Sequence, residues 1–179
     1  MKKMSMAELD RTLQGHTGSV NSVCVSADGS RLLSGGFDNT IKVWDVATGA
    51  CVQTLQGHSG EVVSVCVSAN GSRLFSGSSD KAIKVWDVAT GACVQTLQGH
   101  TNTVASVCVS ADGSRLFSGS SDKTIKVWDV ATGACAQTLQ GHAYSVLSVC
   151  VSADGSRLCL LYTSPSPRDQ RGSRMPSSA

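Results

Sequence analysis

Aromatic residues are scarce in this chain and long apolar runs are absent. The absence of such runs argues against a protein that spans a membrane with helices. Apolar residues make up 41% of the 179 positions, enough for a core, but aromatic residues only 4%. No apolar run approaches the roughly 18 residues that a membrane span requires. The first ten residues carry two lysines but no apolar segment, so a signal peptide is not expected. We therefore expect an intracellular, cytoplasmic protein, with a nuclear location left open.

No excess of one charge runs through most of the chain. The formal net charge is +2, and three arginines against one aspartate in residues 159–179 account for all of it. Residues 1–158 balance twelve basic against twelve acidic side chains. A basic face that would favour nucleic acid is therefore not indicated. We expect neither a nucleic-acid nor a membrane partner.

Spacings typical of metal sites are missing as well, although the chain has eight cysteines. No Cys-x-x-Cys occurs, and no spacing resembles that of zinc ligands, so no metal or cofactor is expected. Seven cysteines recur at a period of 42 residues in two series, Cys24, Cys66, Cys108 and Cys150, and Cys51, Cys93 and Cys135. Without a secretory signal, we expect free thiols buried as small apolar side chains; a disulfide framework is the alternative.

What the chain does contain is one unit repeated every 42 residues. Gly-His pairs begin at Gly15, Gly57, Gly99 and Gly141, and Trp-Asp pairs begin at Trp44, Trp86 and Trp128. Residues 15–56 and 57–98 are identical at 33 of 42 positions. Such self-similarity is typical of repeat architectures, in which each unit is one supersecondary element.

Each unit contains four short strand candidates separated by turn residues. In the first unit they are VNSVCVS (20–26), RLLSG (31–35), TIKVWD (40–45) and ACVQTLQ (50–56). The Asp-Gly of ADGS predicts one hairpin turn, and Gly49 can take the positive φ that closes another. Four antiparallel strands make a small sheet that is apolar on both faces. Such a sheet must stack on its neighbours.

The order Gly-His, Ser-Gly-x-x-Asp and Trp-Asp at this period resembles the WD-repeat β-propeller family over residues 9–158. The resemblance implies an all-β fold of four-stranded antiparallel blades, about three and a half of them, in a ring that is not closed. The expected units are 15–56, 57–98 and 99–140, followed by a partial unit at 141–158. Residues 9–14 match 51–56, so the segment 1–14 is expected to hold a leading outer strand of the kind that closes family rings.

Within each unit a His, a Ser and an Asp have the composition of a hydrolase triad. By resemblance to the family, they form with the Trp a buried structural hydrogen-bond network rather than an active site, which satisfies each buried polar group. Three equivalent copies also argue against one catalytic centre, although a hydrolase is kept as a remote alternative. The three sets are His16, Ser34, Asp38 and Trp44; His58, Ser76, Asp80 and Trp86; and His100, Ser118, Asp122 and Trp128.

A binding surface is expected where the units differ. The differences cluster after Gly-His and in the turn before the Trp strand, whereas the SADGS and VATG turns barely vary. In the family both variable loops open onto the end that docks peptides or proteins, so divergence there fits a varied surface on a constant frame. Simple loop drift is the alternative. The candidates are Ser19, Asn21, Phe37, Glu61, Val63, Ser79, Thr103, Ala105, Ser121, Tyr144 and Leu147, with Phe37 and Tyr144 as apolar anchors.

The repeat stops at Cys159, where CLLYTSPSPRDQRGSRMPSSA replaces the expected Phe-Ser-Gly-Ser. Alone, this composition, with all three prolines of the chain, would predict a disordered tail. The string also resembles an in-frame translation of a transposase-type sequencing adapter, with constant blocks at 159–169 and 173–179 around a variable index. We therefore expect residues 159–179 to be a non-native tail and exclude them from fold reasoning.

These observations predict a non-enzymatic scaffold that binds proteins or peptides on its variable loops. The alternative is a regulatory or sensor module of a longer multidomain protein. Self-association of the open fragment is a further possibility, because an unclosed arc exposes edges and faces.

Overall fold

The computed structural model describes residues 11–152 and 158–161, and all regular secondary structure in these ranges is β-strand. The strands are β1 (Val20–Val25), β2 (Arg31–Gly36), β3 (Ile41–Asp45), β4 (Cys51–Leu55), β5 (Val62–Val67), β6 (Arg73–Ser78), β7 (Ile83–Asp87), β8 (Cys93–Leu97), β9 (Val104–Val109), β10 (Arg115–Ser120), β11 (Ile125–Asp129), β12 (Cys135–Leu139), β13 (Ser148–Val151) and β14 (Leu158–Leu161). Over these ranges, no helix is present that could cross a membrane.

The strands form three four-stranded antiparallel sheets and one hairpin. Sheets β1–β4, β5–β8 and β9–β12, here called blades 1, 2 and 3, each pair their strands in chain order, and β13 pairs with β14. The predicted turns are confirmed: Gly29 has φ 70° in the β1–β2 turn and Gly49 has φ 75° in the β3–β4 turn. The expected all-β architecture of stacked, unclosed blades is therefore confirmed.

The core lies between blades rather than inside them. One face of blade 1 contributes Leu33, Ile41 and Val43, which are buried against Val62 and Val65 on the opposite face of blade 2. Blade 2 packs on blade 3 through the equivalent residues. A cross-blade hydrogen bond repeats with the packing, since the Val65 N–H donates to Ser22 Oγ at 3.1 Å and the Val107 N–H to Ser64 Oγ at 3.1 Å.

A glycine in the second strand of each blade lets neighbouring blades approach closely. A Cβ added to Gly35 would lie 2.5 Å from Cγ1 of Val62, and one added to Gly77 would lie 2.7 Å from Cγ1 of Val104. Separations below about 3 Å do not occur for real Cβ atoms. The Ser-Gly of the repeat is therefore a packing requirement of the interface between blades.

The N-terminal segment takes the place of an outer strand without forming one. Residues 11–14 are not in a strand, and 9–10 lie outside the described residues. Arg11 and Leu13 nevertheless contact Gly49 of blade 1, as Gln53 and Leu55 of blade 1 contact Gly91 of blade 2. A strand needs a hydrogen-bonded neighbour, and none precedes β1 in the described ranges, so the leading outer strand stays a prediction.

Within the part of the fourth unit that the structure describes, the strands form one hairpin, β13–β14. Strand β14 runs from Leu158 to Leu161 and so crosses the expected end of the repeat at Leu158. The remainder of the segment 159–179 lies outside the described residues, so its assignment as a non-native tail stays a prediction.

The expectation of buried cysteines is wrong for four of the seven described cysteines: all seven are free, but Cys51, Cys93, Cys135 and Cys150 are exposed. Cys51, Cys93 and Cys135 lie on the outer strands β4, β8 and β12, which have no blade beyond them to cover their outward side. Cys24, Cys66 and Cys108 are half-buried. In the other series, burial raises the pKa of Cys24 to about 12.

Candidate functional site

Each complete blade contains a chain of four hydrogen-bonded side chains that crosses its strands. In blade 2, Trp86 Nε1 donates to Ser76 Oγ at 2.8 Å, and His58 Nε2 lies 2.7 Å from the same oxygen. His58 Nδ1 lies 2.7 Å from Asp80 Oδ2. The chain therefore joins the third strand, the second strand, the loop before β5 and the β6–β7 turn.

The same geometry recurs in the other two blades. Ser34 Oγ lies 2.8 Å from Trp44 Nε1 and 2.7 Å from His16 Nε2, and His16 Nδ1 lies 2.9 Å from Asp38 Oδ2. In blade 3 the corresponding distances are 2.8, 2.7 and 2.7 Å and involve Ser118, Trp128, His100 and Asp122. The structure thus brings together all twelve residues that the sequence grouped, in three separate sets.

The hydrogen-bonding capacities determine where the protons lie in each network. The indole of Trp86 can only donate, so the Ser76 oxygen accepts from it and the Ser76 hydroxyl donates to His58 Nε2. His58 Nδ1–H then donates to the Asp80 carboxylate. Every polar atom between Trp86 and Asp80 has a partner, and the Ser76 hydroxyl is fully committed.

The aspartate also binds backbone from two loops. Asp80 accepts the Ser59 N–H at 3.1 Å and the Ala82 N–H at 3.0 Å, so one carboxylate ties the loop after Gly-His to the turn before the Trp strand. Burial alone would raise the pKa of Asp80, but hydrogen bonds from His58, Ala82 and Ser59 outweigh it and hold the pKa below its ordinary value. The pKa of Asp122 is lowered to about 2 against the same opposing effect of burial.

Burial keeps two of the histidines neutral. Desolvation lowers the pKa of His58 and outweighs the hydrogen bond and charge of Asp80, which act to raise it. His100 behaves in the same way beside Asp122. The side chains of His58 and His100 are each only 1% exposed. Their neutral form is the one that can accept a proton from serine at Nε2 and donate one to aspartate at Nδ1.

The serine side chains are buried inside the sheets, although Ser34 lies at the edge of an open groove on blade 1. Ser76 and Ser118 are 0% exposed and Ser34 is 2% exposed. A catalytic nucleophile needs an accessible oxygen and a donor site for the developing oxyanion. The networks instead rigidify the loops at one end of each blade. Among the described residues no group of three or more His, Cys, Asp or Glu side chains could hold a metal ion.

The two variable loops of each blade are joined by their backbones. Phe37 N–H donates to the Ser19 carbonyl at 2.8 Å, and Ser79 N–H donates to the Glu61 carbonyl at 3.0 Å. Ser121 N–H donates to the Thr103 carbonyl at 2.9 Å in blade 3. We call the surface formed by residues 17–21, 36–39, 59–63, 78–81, 101–105, 120–123 and 143–147 the loop surface.

Three of the sequence candidates occupy β-bulges at the start of the first strand. The pairing of β1 with β2 shifts at Asn21, and the pairings of blades 2 and 3 shift at Val63 and Ala105. A bulge re-aims a side chain out of the regular alternation. Asn21 uses its amide to bind the Val62 carbonyl at 3.1 Å, so this residue also links blade 1 to blade 2.

Exposure separates the candidates into two groups. Phe37 is 57% exposed, Tyr144 62% and Leu147 45%, unusual values for large apolar side chains. Ser19 and Asn21 are exposed too, whereas the other six, Glu61, Val63, Ser79, Thr103, Ala105 and Ser121, are half-buried. The apolar anchors therefore lie on the first and fourth units.

Sequence reasoning missed three residues at the tips of the variable turns. Asn39, Lys81 and Lys123 have positive φ values of 63°, 72° and 70°. Lys81 and Lys123 are exposed beside Ser79 and Ser121 and add positive charge to the loop surface. The signal was present, because this position changes from Asn to Lys between otherwise similar units.

The family model of the WD domain, G-beta repeat, matches residues 7–45, 49–87, 91–129 and 133–164. The chain belongs to the WD-repeat family. The matched segments start earlier than the units of 42 residues named above, because the second and third run from an outer strand to the Trp strand of the next blade. The last WD match extends six residues beyond Leu158.

Similar proteins and structures agree with this assignment. The chain is 59% identical over 39 residues to vegetative incompatibility protein HET-E-1 of Podospora anserina, covering 22% of this chain and 3% of that protein. It is 50% identical over 46 residues to small ribosomal subunit protein RACK1 of Medicago sativa, covering 26% and 14%. The crystal structure of RRP9 WD40 repeats superposes with a TM-score of 0.76 at 30% identity and covers 78% of this chain. This chain spans 44% of that one.

Proposed function

We propose that this WD-repeat chain is a non-enzymatic scaffold that binds partner peptides or proteins on the loop surface. The observation that carries the proposal is a contrast within each blade. Identical networks hold the frame, and the residues that differ between units meet on loops joined by backbone hydrogen bonds. Variation concentrated on a rigid, shared surface favours selection for binding.

The chemistry of the loop surface favours a partner with apolar groups. Phe37, Tyr144 and Leu147 offer exposed apolar area, and large aromatic residues are typical anchors of interfaces. Lys81 and Lys123 add positive charge, while Glu61 and the aspartates of the networks add negative charge. Because the serines of the networks are buried and fully hydrogen-bonded, the proposal includes no catalytic step.

A peptide-display selection against the whole chain, followed by calorimetric titration of the recovered peptides, tests the proposal. Phe37→Ala and Tyr144→Ala should each weaken binding by roughly tenfold or more, as for anchor residues. Val94→Ala is the matched control, because Val94 is 50% exposed on the outer strand β8, away from the loop surface. Peptides that bind all variants equally would contradict the proposal.

A second candidate function is a regulatory or sensor module of a longer protein. It is supported by the size of the relatives, since the matched segments form only 3% of HET-E-1 and 5% of F-box/WD repeat-containing protein 10 of Mus musculus. Sequencing of transcripts that span Leu158 would test it, since further domains in the same reading frame are the expected result.

A further inference from the structure

One face of blade 1 has no sheet packed on it among the described residues. Val20 is 51% exposed and Val23 59% exposed, whereas the equivalent Val62 and Val65 of blade 2 are 0% and 5% exposed. With Leu32 they line an open groove of about 510 Å³. We call this surface, formed by Val20, Val23, Leu32 and Trp44, the head face.

The chain itself shows which surface fits the head face. In blade 2, the equivalent residues Val62, Val65, Leu74 and Trp86 pack against Leu33, Ile41, Val43 and Leu55 of blade 1. In blade 3 they pack against Phe75, Ile83, Val85 and Leu97 of blade 2. The partner of the head face is therefore a blade that presents a Leu or Phe, a close-packing glycine, and the Ile and Val of the Trp strand.

Blade 3 presents such a surface, and it is incompletely covered. Val146 and Val149 of the fourth unit join its cluster as buried residues, and Val151 and Leu158 pack against it partly buried. Phe117 and Val127 retain 9% and 7% exposure, against 1% and 0% for the equivalent Phe75 and Val85. We call this surface, formed by Phe117, Gly119, Ile125 and Val127, the tail face.

The fourth unit is not an equivalent partner. Among the described residues it pairs β13 with β14 alone, whereas a complete blade also has a third strand that carries a Trp.

We propose that the head face of one chain binds the tail face of a second copy of the same chain, in place of that copy's β13–β14 hairpin. The fourth unit covers the tail face with Val146 and Val149 and, partly buried, Val151 and Leu158. A complete blade would add the ring of Trp44, which is 3% exposed at the head face. The contact is head-to-tail. Two copies form a closed pair if the rotation between neighbouring copies brings the second head face back to the first tail face, and they form open filaments otherwise.

Light scattering of the full chain across a wide concentration range, under reducing conditions, provides the first test. Reduction removes disulfide links through exposed Cys51, Cys93 and Cys135. Oligomers are expected, and Val20→Glu combined with Val23→Glu should weaken association by roughly a hundredfold or more, since a charge is buried in an apolar contact. Val52→Glu with Val94→Glu is the matched control, because both valines are 50% exposed on outer strands.

A mixing experiment identifies the partner surface. Gly119→Val places a side chain where a Cβ would already lie 2.7 Å from Val146, so it blocks the tail face to any valine. Each variant alone should be monomeric, and a mixture of the Gly119→Val chain with the Val20→Glu/Val23→Glu chain should form heterodimers through the one intact contact. Association of the Gly119→Val chain with itself would overturn the head-to-tail assignment.

Photo-crosslinking tests the contact without a tail variant. A photoreactive residue at position 23, in a mixture of isotopically light and heavy chains, should form intermolecular crosslinks to residues 115–127. Crosslinked peptides that contain Thr124 come from blade 3, because the equivalent residue of blade 2 is Ala82. The proposal would be overturned if the chain were a monomer at every concentration, or if the intermolecular crosslinks fell only in other blades. It would also be overturned if the Val52→Glu/Val94→Glu control dissociated as much as the Val20→Glu/Val23→Glu variant.

Discussion

The indole nitrogen of Trp86 lies 2.8 Å from the hydroxyl oxygen of Ser76, and both residues are sealed from solvent at 1% and 0% exposure. The ring of Trp86 belongs to the core between blades 1 and 2, while its N–H begins the network that ends at Asp80. One side chain thus couples the packing of two blades to the position of the loops. The Trp-Asp signature is in this respect a signature of blade assembly.

Replacement of Trp86 by alanine should lower the free energy of unfolding by about 3–5 kcal/mol, as for a large buried aromatic residue. Trp86→Phe should cost less, about 1–3 kcal/mol, because most of the packing remains while Ser76 loses its donor. Chemical denaturation of both variants provides the measurement. Unchanged stability of Trp86→Ala would contradict the buried network.

Acid should destabilise the fold in two steps. Because burial lowers the pKa values of His58 and His100, the unfolded chain binds protons at these histidines before the folded chain does. The free energy of unfolding should therefore fall as the pH drops below the ordinary histidine value of 6.5. A second decrease should follow between 3.8 and about 2, where Asp122 is protonated first in the unfolded chain.

Urea unfolding just above and well below pH 6.5 measures the first step. Replacing both His58 and His100 by glutamine should remove most of the decrease in unfolding free energy below pH 6.5, although the replacements lower stability at every pH. An unfolding free energy that stays constant as the pH falls through 6.5 would show that these histidines are not held neutral.

Replacing the amide of Asn70 by a carboxylate should stabilise the turn between β5 and β6. In blade 1, Asp28 accepts Ser26 Oγ on one oxygen at 2.6 Å and Ser30 Oγ on the other at 2.8 Å. In blade 2 one amide oxygen of Asn70 accepts both equivalent hydroxyls. Asn70→Asp should therefore raise the melting temperature at neutral pH, because charge-assisted hydrogen bonds are stronger.

The pKa of Asp112 in blade 3, lowered to about 2 by hydrogen bonds from Ser110 and Ser114, sets the pH range of that gain. A carboxylate with a lowered pKa stabilises the fold above its ordinary value of 3.8, and the gain disappears as the pH falls to about 2. Asp112→Asn is the reverse control and should lower the melting temperature. Equal melting temperatures for Asn70→Asp and the parent chain at neutral pH would exclude the effect.

Replacing a lysine at a turn tip by asparagine should raise the stability of the chain. Lys81 has φ 72° in a turn where Asn39 of blade 1 has φ 63°. Asparagine tolerates this left-handed region better than lysine does, so Lys81→Asn should stabilise the chain by roughly 0.5–1 kcal/mol. Asn39→Lys should have the opposite effect. Denaturation of both variants tests the pair, and a loss of stability in Lys81→Asn would contradict it.

The strands and the turns were accessible from the sequence because they depend on local patterns that recur every 42 residues, and the membership of each network followed from the resemblance to the WD-repeat family. The Asp-Gly turns need only the positive φ of Gly29 and its equivalents. The bulges at Asn21, Val63 and Ala105 were not accessible, since a bulge depends on how two strands pair. The backbone bond from Phe37 to Ser19, which unites the loop surface, also depends on that pairing.

Units of near-identical sequence do not have identical surroundings in this protein, and Val20 and Val62 show why. Both begin the first strand of a blade, yet Val20 is 51% exposed and Val62 is buried. Local sequence alone specified a strand with apolar residues on both faces. A face is buried only if a neighbouring blade packs against it. Burial therefore depends on how the blades assemble and not on the sequence of one strand.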